Sequence, residues 1–297
     1  MNEHAERFTL LRPLLFTIAY QILGSATESD DVLQDSYLRW AEVDLSSVRD
    51  TKAYLAQLVT RQALNTLRAA TRRREEYVGP WLPEPLLVTE QDPSADVVLA
   101  ESVSMAMLVL LETLGPDERA VFVLREVFGF DYDEISSAVG KSVVAVRQVA
   151  HRAQAHVQAR RPRFAPADKR ENARITAEFM AVAAGGDIQA VLTMLAPDVA
   201  WIADGGGKAS AARRPVVGAE KVAKTVVGLL RSGLQMADVR VETAVCNSAP
   251  ALLLYRADQL EGVFTIEIVD GLITNFYAMR NPDKLAALAT TRTISRS

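Results

Sequence analysis

The chain has 297 residues, of which 49% are hydrophobic, and a formal net charge of −4. This length suits two or three domains, and the composition excludes a chain that is disordered throughout. The single cysteine, Cys246, excludes an intramolecular disulfide, and with only three histidines neither a metal site nor a cofactor is expected. No apolar run reaches the roughly 18 residues of a membrane span, and the N-terminus lacks an export signal. We therefore expect a cytoplasmic protein without a membrane partner.

The first block, residues 5–75, is predicted to be wholly helical because apolar side chains recur in it at helical spacing. Its second helix is predicted to begin at Ser29, and its third to run over about 50–74. Four prolines between Glu75 and residue 93 then exclude a continuous helix. These patterns predict a helical domain over 1–75 and an extended, proline-containing linker over 76–97.

A helix-turn-helix is predicted within the next helical block, residues 98–163. Ile135 and Val139 recur at helical spacing, and Gly140 ends that helix because glycine tolerates a positive φ. Ser142 then suits the N-cap of a second helix. The second helix would lie in a DNA major groove, whereas the alternative is an ordinary antiparallel helix pair. The buried stripe of the second helix is predicted to be Val143, Val146, Val149 and Ala150.

The pattern changes in the third block, residues 168–297. Two helices, over about 170–185 and 187–196, precede a strand at 199–203 and a helix near 219–231. Helices followed by a meander of antiparallel strands indicate an α+β domain. The predicted strands of the meander are 238–246, 251–257, 261–269 and 272–279, the last pair joined by a hairpin at Asp270-Gly271.

Two segments of the first block carry a family resemblance. Asp30–Trp40 is similar to the polymerase-binding helix of the extracytoplasmic-function sigma factors of bacterial RNA polymerase, and Tyr54–Arg68 to their promoter-melting helix. The acids Asp31 and Asp35 share one helical face and suit a basic partner helix. Holding an unpaired DNA strand requires hydrogen bonds to base edges and cations on phosphates. The resemblance implies contacts to core polymerase by Asp31, Leu33, Asp35 and Leu38, to the −10 element by Tyr54, Arg61, Asn65, Arg68 and Arg72, and to the −35 element by Ser142, Arg147, Gln148, His151 and Arg152.

Three short strings extend the resemblance to the sigma-J-like subgroup, whose C-terminal extension has a SnoaL-like, cone-shaped fold. They are Trp81–Pro85 in the linker, Asp204–Lys208 after a strand, and Asn281–Leu285 near the end. A Trp between prolines suits a docking anchor, and three successive glycines permit close approach, either as a pocket rim or as a contact surface. The regulatory contacts implied by the resemblance are Trp81, Pro83, Glu84, Asp204, Gly205, Gly206, Gly207, Lys208, Asn281, Pro282 and Asp283.

The function expected from these features is that of a sigma factor with two all-α domains and an α+β regulatory domain. It would direct bacterial core RNA polymerase to promoter DNA, and its C-terminal domain would tune that activity in cis. Catalysis is not expected, because the third block contains no histidine; a small-molecule ligand of that domain is kept open. The alternatives are a polymerase-independent helix-turn-helix regulator with a ligand-binding C-terminal domain, and an enzyme with a helical accessory region.

Overall fold

A computed structural model describes residues 3–88, 97–160, 169–234, 236 and 238–296, without the side chains of residues 71–73, 75, 169 and 234. The chain forms two compact units. The helical unit comprises Met1–Glu76, Val88–Ala165 and Arg292–Ser297, and the sheet unit comprises Tyr77–Leu87 and Pro166–Thr291. Residues 77–87 of the predicted linker, with Pro80, Pro83 and Pro85, therefore belong to the sheet unit, and the last residues of the chain belong to the helical unit. Pro93 lies outside the described residues.

Three helices form the first part of the helical unit. The second helix begins at Ala26 rather than at the predicted Ser29, because Ser25 accepts a hydrogen bond from the amide of Glu28 and acts as the N-cap. Asp50 caps the third helix in the same way, through the amide of Ala53. The three helices are α1 (Glu3–Leu23), α2 (Ala26–Trp40) and α3 (Thr51–Glu75), with a 3-10 turn at Leu45–Ser47.

The predicted helix-turn-helix is confirmed in the second part of the helical unit. Asp131 and Glu134 form a reciprocal capping box at the start of its first helix, and Gly140 ends that helix with φ +68°. Val146, Val149 and Ala150 are buried as predicted, whereas Val143 is only half-buried. The helices are α4 (Val97–Ser102), α5 (Met105–Leu111), α6 (Pro116–Phe122), α7 (Tyr132–Val139) and α8 (Val143–Arg160), with a π-helical turn at Val123–Val127.

The two parts of the helical unit pack on each other around a buried arginine. Arg119 is 1% exposed; its Nε donates to the carbonyl of Gln21 at 2.8 Å, and its guanidinium pairs with Glu112. Glu112 also pairs with Arg74 at the end of α3. Because each charged group has a partner of opposite sign, the desolvation cost of burying this arginine is offset.

The sheet unit is built on one six-stranded sheet with the order β2-β1-β6-β5-β4-β3. The predicted antiparallel meander is present as β3 to β6, but β1 pairs in parallel with β6. Parallel neighbours need a crossover connection, and the connection from β1 to β6 includes α11. The apolar pattern of one strand does not reveal whether it pairs in parallel or antiparallel. The elements are α9 (Lys169–Gly185), α10 (Ile188–Thr193), β1 (Leu195–Asp204), β2 (Val216–Val217), α11 (Ala219–Leu234), β3 (Val239–Cys246), β4 (Ala249–Arg256), β5 (Gln259–Val269), β6 (Leu272–Met279) and α12 (Pro282–Leu285).

The core of the sheet unit lies between this sheet and the helices. Trp201 and Phe276, paired neighbours on β1 and β6, are in tilted contact with ring centroids 5.6 Å apart, and Phe179 of α9 packs on Phe276 at 5.2 Å. Val222 and Val226 of α11 are buried in the same cluster. The helix predicted over 187–196 ends at Thr193, because Leu195 already belongs to β1. In the described part of the chain, no helix combines the length and apolar character needed to cross a membrane.

Candidate polymerase, DNA and regulatory surfaces

The predicted polymerase-binding residues lie on α2. Asp31 and Asp35 are exposed one turn apart, and Leu38 is exposed over 60% of its surface. Such an apolar side chain beside two acids suits contact with a partner that is both basic and apolar. Leu33 corrects the prediction: it is completely buried among the helices of its own unit. The spacing of apolar residues places Leu33 on the inward face of α2. It therefore packs beneath the predicted polymerase-binding surface and does not form part of it.

The predicted −10 residues lie along α3. Arg61, Asn65 and Arg68 are exposed, one turn apart on one helical face. Tyr54 is half-buried and packs on Trp40, with ring centroids 5.6 Å apart, so its ring is largely committed to packing. Arg72 was also predicted for this surface, but its side chain lies outside the described residues.

The −10 face of α3, defined by Gln57, Arg61, Asn65 and Arg68, contacts the helix-turn-helix domain. Gln57 and Arg61 both donate to the carbonyl of Ser137 in α7, at 2.9 and 3.0 Å. Arg68, on the same face, pairs with the acid Asp117, which binds two cations. The sequence carried no signal for Ser137, since a backbone carbonyl can belong to any residue type.

Asp117, at the start of α6, lies between Arg68 and Lys141. Its carboxylate oxygens are 2.6 Å from the Arg68 guanidinium and 3.0 Å from the Lys141 ammonium. Partial burial alone would raise the pKa of Asp117, but the hydrogen bonds from Lys141 and Arg68 outweigh it and hold that pKa below its usual value. Asp117 is therefore ionised at neutral pH and joins the −10 face to the helix-turn-helix.

The predicted −35 residues lie on the exposed face of α8. Arg147, Gln148, His151 and Arg152 together line an open groove in the surface. Arg152 lies 3.7 Å from the carboxylate of Glu118. The hydroxyl of Ser142 accepts from the amide of Ala145 at 3.3 Å, as the predicted N-cap requires.

A buried ion pair connects the three short segments that resemble the sigma-J-like subgroup, namely Trp81–Pro85, Asp204–Lys208 and Asn281–Leu285. Asp204, at the end of β1, is completely buried and lies 2.7 Å from the ammonium of Lys284 in α12. The linker supplies two further donors to the same carboxylate, the hydroxyl of Tyr77 at 2.6 Å and the amide of Leu82 at 2.9 Å. These donors replace the water contacts that the carboxylate loses on burial.

Lys284 is held from the linker side as well. Its ammonium donates to the carbonyl of Leu82 at 2.5 Å and lies 3.9 Å from the ring centroid of Trp81, a cation–π contact. Trp81 therefore contacts a charge, and its role as a docking anchor stays a prediction. Lys284 belongs to the segment Asn281–Leu285, but its pairing with Asp204 could not be predicted from the sequence.

The glycines after Asp204 lie close to Asn281, to Val78 of the linker and to Ala209. Gly206 has φ +59°, and a Cβ there would meet the Asn281 amide, which itself donates to the Tyr77 hydroxyl at 2.7 Å. Gly207 faces Val78, and a Cβ on Gly205 would meet the carbonyl of Ala209. Pro83 and Glu84 are buried, Pro282 begins α12, and Lys208 pairs with Asp283 on the surface.

Asn247, which the sequence did not single out, holds the linker at Leu86. Its side-chain oxygen accepts from the backbone amide of Leu86 at 2.9 Å, and its backbone amide donates to the carbonyl of Leu86 at 3.0 Å. Asn247 has φ +52°, a conformation that asparagine tolerates better than most residues. The linker is thus held at Tyr77, Leu82 and Leu86, all within the sheet unit.

Comparison with known proteins identifies the family of both helical domains. Residues 8–73 match the family described as Sigma-70 region 2, and residues 104–157 match Sigma-70, region 4. The chain is 35% identical over 287 residues to "ECF RNA polymerase sigma factor SigJ" of Mycobacterium tuberculosis, covering 93% of this chain and 91% of that protein. It is 31% identical over 281 residues to a probable ECF sigma factor, SigI, of the same species, covering 93% of each.

A solved structure extends the similarity to the three-dimensional fold. The crystal structure of Mycobacterium tuberculosis SigJ aligns with a TM-score of 0.77 at 32% identity, covering 96% of this chain and 99% of that one. The alignment includes both helical domains and the α+β domain that follows them. The chain therefore belongs to the extracytoplasmic-function RNA polymerase sigma factors of the sigma-J-like subgroup, which direct promoter recognition and transcription initiation, and it carries a C-terminal α+β domain.

Proposed function

We propose that the C-terminal domain of this sigma factor regulates it in cis by holding the linker between its two promoter-reading domains. The supporting observation is the buried Asp204–Lys284 pair, to which Tyr77 and Leu82 of the linker are bonded. We assign the domains as region 2 over 1–75, the linker over 76–97, region 4 over 98–163 and the regulatory domain over 168–297.

The physical effect of this fastening is on the freedom of the linker. A free chain of this length samples many end-to-end distances, whereas residues 77–87 are fixed here by hydrogen bonds to one folded domain. Pro80, Pro83 and Pro85 further lower the entropy that is lost on fastening. The domain that holds the linker therefore sets how regions 2 and 4 can be spaced, and a −35/−10 promoter demands one spacing.

The proposed partners are bacterial core RNA polymerase, through Asp31, Asp35 and Leu38, and promoter DNA. On the −10 element we assign Arg61, Asn65, Arg68 and Arg72, with Tyr54 in a packing role. On the −35 element we assign Ser142 to phosphate and the α8 residues Arg147, Gln148, His151 and Arg152 to the groove. A sigma factor acts where its polymerase is, so the proposed site of action is the cytoplasm.

The described conformation has a direct consequence for DNA binding. Arg61 and Arg68 bond to Ser137 and Asp117 of the region 4 domain, and the same guanidinium groups would have to hold DNA phosphates. Both contacts cannot be made at once. We therefore infer that region 4 leaves the −10 face before the promoter is melted.

The C-terminal domain is proposed to act by binding and not by catalysis. Asp204, a completely buried carboxylate of this domain, is bonded to Lys284 and to the linker. Burial, and then the hydrogen bond to Asp204, raise the pKa of Tyr77 well above its usual value, so that hydroxyl stays a neutral donor. A small-molecule ligand of this domain stays a prediction.

Run-off transcription with bacterial core polymerase tests the proposal. Asp204→Asn removes the charge that holds Lys284, whereas Asp258→Asn makes the same charge change at an exposed turn, where φ +65° also suits asparagine. We expect Asp204→Asn to change transcript yield severalfold and Asp258→Asn to leave it unchanged. Equal yields from the two variants and the unmodified chain would refute regulation through the linker while leaving the sigma activity in place.

A further inference from the structure

Tyr132 lies between two arginines at the start of the helix-turn-helix. It is the first residue of α7, half-buried, and directly follows the capping residue Asp131. The guanidinium carbon of Arg147 lies 5.3 Å from its ring centroid, and that of Arg125 lies 4.6 Å away. Both distances fall within the range of a cation–π contact.

Arg125 fixes the ring in place. Its Nη1 donates to the carbonyl of Phe130 at 2.9 Å, which ties the guanidinium to the backbone just before α7. The ring of Tyr132 thus packs against an arginine that is itself bonded to the backbone. A ring held in this way can support the second arginine.

Arg147 is the second arginine in contact with the Tyr132 ring. It lies in the second turn of α8, the recognition helix. In helix-turn-helix proteins the N-terminal residues of this helix contact base edges. Among the described residues, no carboxylate lies within ion-pairing distance of Arg147, in contrast to Arg152 beside Glu118 and Arg68 beside Asp117. A salt bridge would occupy the guanidinium donors, whereas a ring face leaves the N–H fork free for a base.

We propose that Tyr132 is a positioning residue for −35 recognition: its ring holds the guanidinium of Arg147 so that the two donors of the fork meet the O6 and N7 acceptors of a guanine. This inference rests on the proposed reading of the −35 element by α8. It assigns sequence selectivity to a residue of the first helix, which itself makes no base contact. Bidentate contact to guanine is the commonest way in which arginine reads DNA.

The test is a base-preference profile of the full chain in complex with core polymerase on promoters with a randomised −35 element. Arg147→Ala identifies the base pair that Arg147 reads. Tyr132→Phe keeps the ring, and Tyr132→Leu removes it while keeping apolar volume. Tyr255→Leu is the matched control, because it removes an equivalent contact with Arg240, at 4.3 Å, in the sheet unit.

We expect Arg147→Ala to abolish preference at one base pair. Tyr132→Leu should lower the preference at that same base pair by roughly twofold to fivefold, the worth of an exposed cation–π contact. Tyr132→Phe and Tyr255→Leu should leave it unchanged, and Tyr132→Leu should add nothing to Arg147→Ala. Because the preference is a ratio between sequences bound by the same molecules, a lower folded fraction does not alter it.

Two outcomes would overturn the positioning role. In one, Tyr132→Leu keeps the Arg147-dependent preference; in the other, Arg147→Ala weakens binding to every sequence alike, as a phosphate contact would. In both, selection at other −35 positions would show that the proposed sigma function stands. Failure of the unmodified chain to select any −35 sequence would instead refute the −35 reading by α8, and the positioning role with it.

Discussion

Lys284 carries a charge that the fold keeps almost entirely from water. Its side chain is 9% exposed, and its partner Asp204 is completely buried. Burying a charge is tolerable only when a partner of opposite sign and further hydrogen bonds replace the lost hydration. Tyr77, Trp81 and Leu82 supply those contacts from the linker, so the linker is part of what makes this pair stable.

This pair leads to a prediction about stability. Asp204→Asn or Lys284→Met alone leaves one buried charge without its partner, and each should lower the free energy of unfolding by about 3–5 kcal/mol. The double variant should lose less than the sum of the two, because no unpaired charge remains. Urea unfolding of the three variants measures this coupling.

An exposed ion pair in the same region provides the control. Lys208 and Asp283 are more than half exposed, so Lys208→Met should change the free energy of unfolding by less than about 1 kcal/mol. Strictly additive losses for Asp204→Asn and Lys284→Met would contradict the interpretation of the buried pair, because independent sites do not couple.

At the scale of elements, α3 has two mutually exclusive roles. Its exposed face is the proposed −10 surface, and in this structure the same face bonds to α6 and α7 through Asp117 and Ser137. A fastened linker keeps regions 2 and 4 at a high effective concentration for each other, which favours this closed contact. Weakening the contact should therefore release the −10 face.

The prediction for α3 concerns single-stranded DNA. Asp117→Asn removes the charge that holds Arg68 and Lys141, so binding of a −10 single strand to the full chain should strengthen severalfold. Asp133→Asn makes the same charge change on an exposed site of α7. Fluorescence anisotropy at fixed salt measures both, and an equal gain in the two variants would reduce the effect to net charge.

The same contact has a defined pH dependence. Because the pKa of Asp117 is lowered in the closed state, its stabilisation is complete above the ordinary value of 3.8 and is lost only as pH falls through the lower folded value. The gain from Asp117→Asn should therefore be constant between about pH 6 and 8. A gain that varies through this range would assign the contact to another titrating group.

At the scale of the whole molecule, the chain passes between its two units at 76/77, 87/88, 165/166 and 291/292. The last passage returns the C-terminus to the helical unit, where Arg292 pairs with Asp30 and the amide of Ser295 donates to the Thr17 hydroxyl at 3.0 Å. No sequence pattern pointed to these contacts, because a short terminal segment has no periodicity.

The structural predictions that are confirmed are mainly those that rest on the periodicity of apolar residues. Spacing reveals which face of a helix or strand is buried, and it correctly predicted Val146, Val149 and Ala150 in the buried stripe of α8, the Gly140 turn and the meander of β3 to β6. It does not reveal what covers a face. The parallel pairing of β1 with β6, the Asp204–Lys284 pair and the covering of α3 by α7 all depend on contacts between distant segments.

The most direct measurement is complex formation and run-off transcription with purified bacterial core polymerase and a −35/−10 promoter. The account predicts that the full chain binds core and starts transcription at one position, and that reversing the charges of Asp31 and Asp35 to lysine abolishes both. A chain that never binds core, yet binds the promoter duplex with unchanged affinity whether core is present or not, would contradict the account.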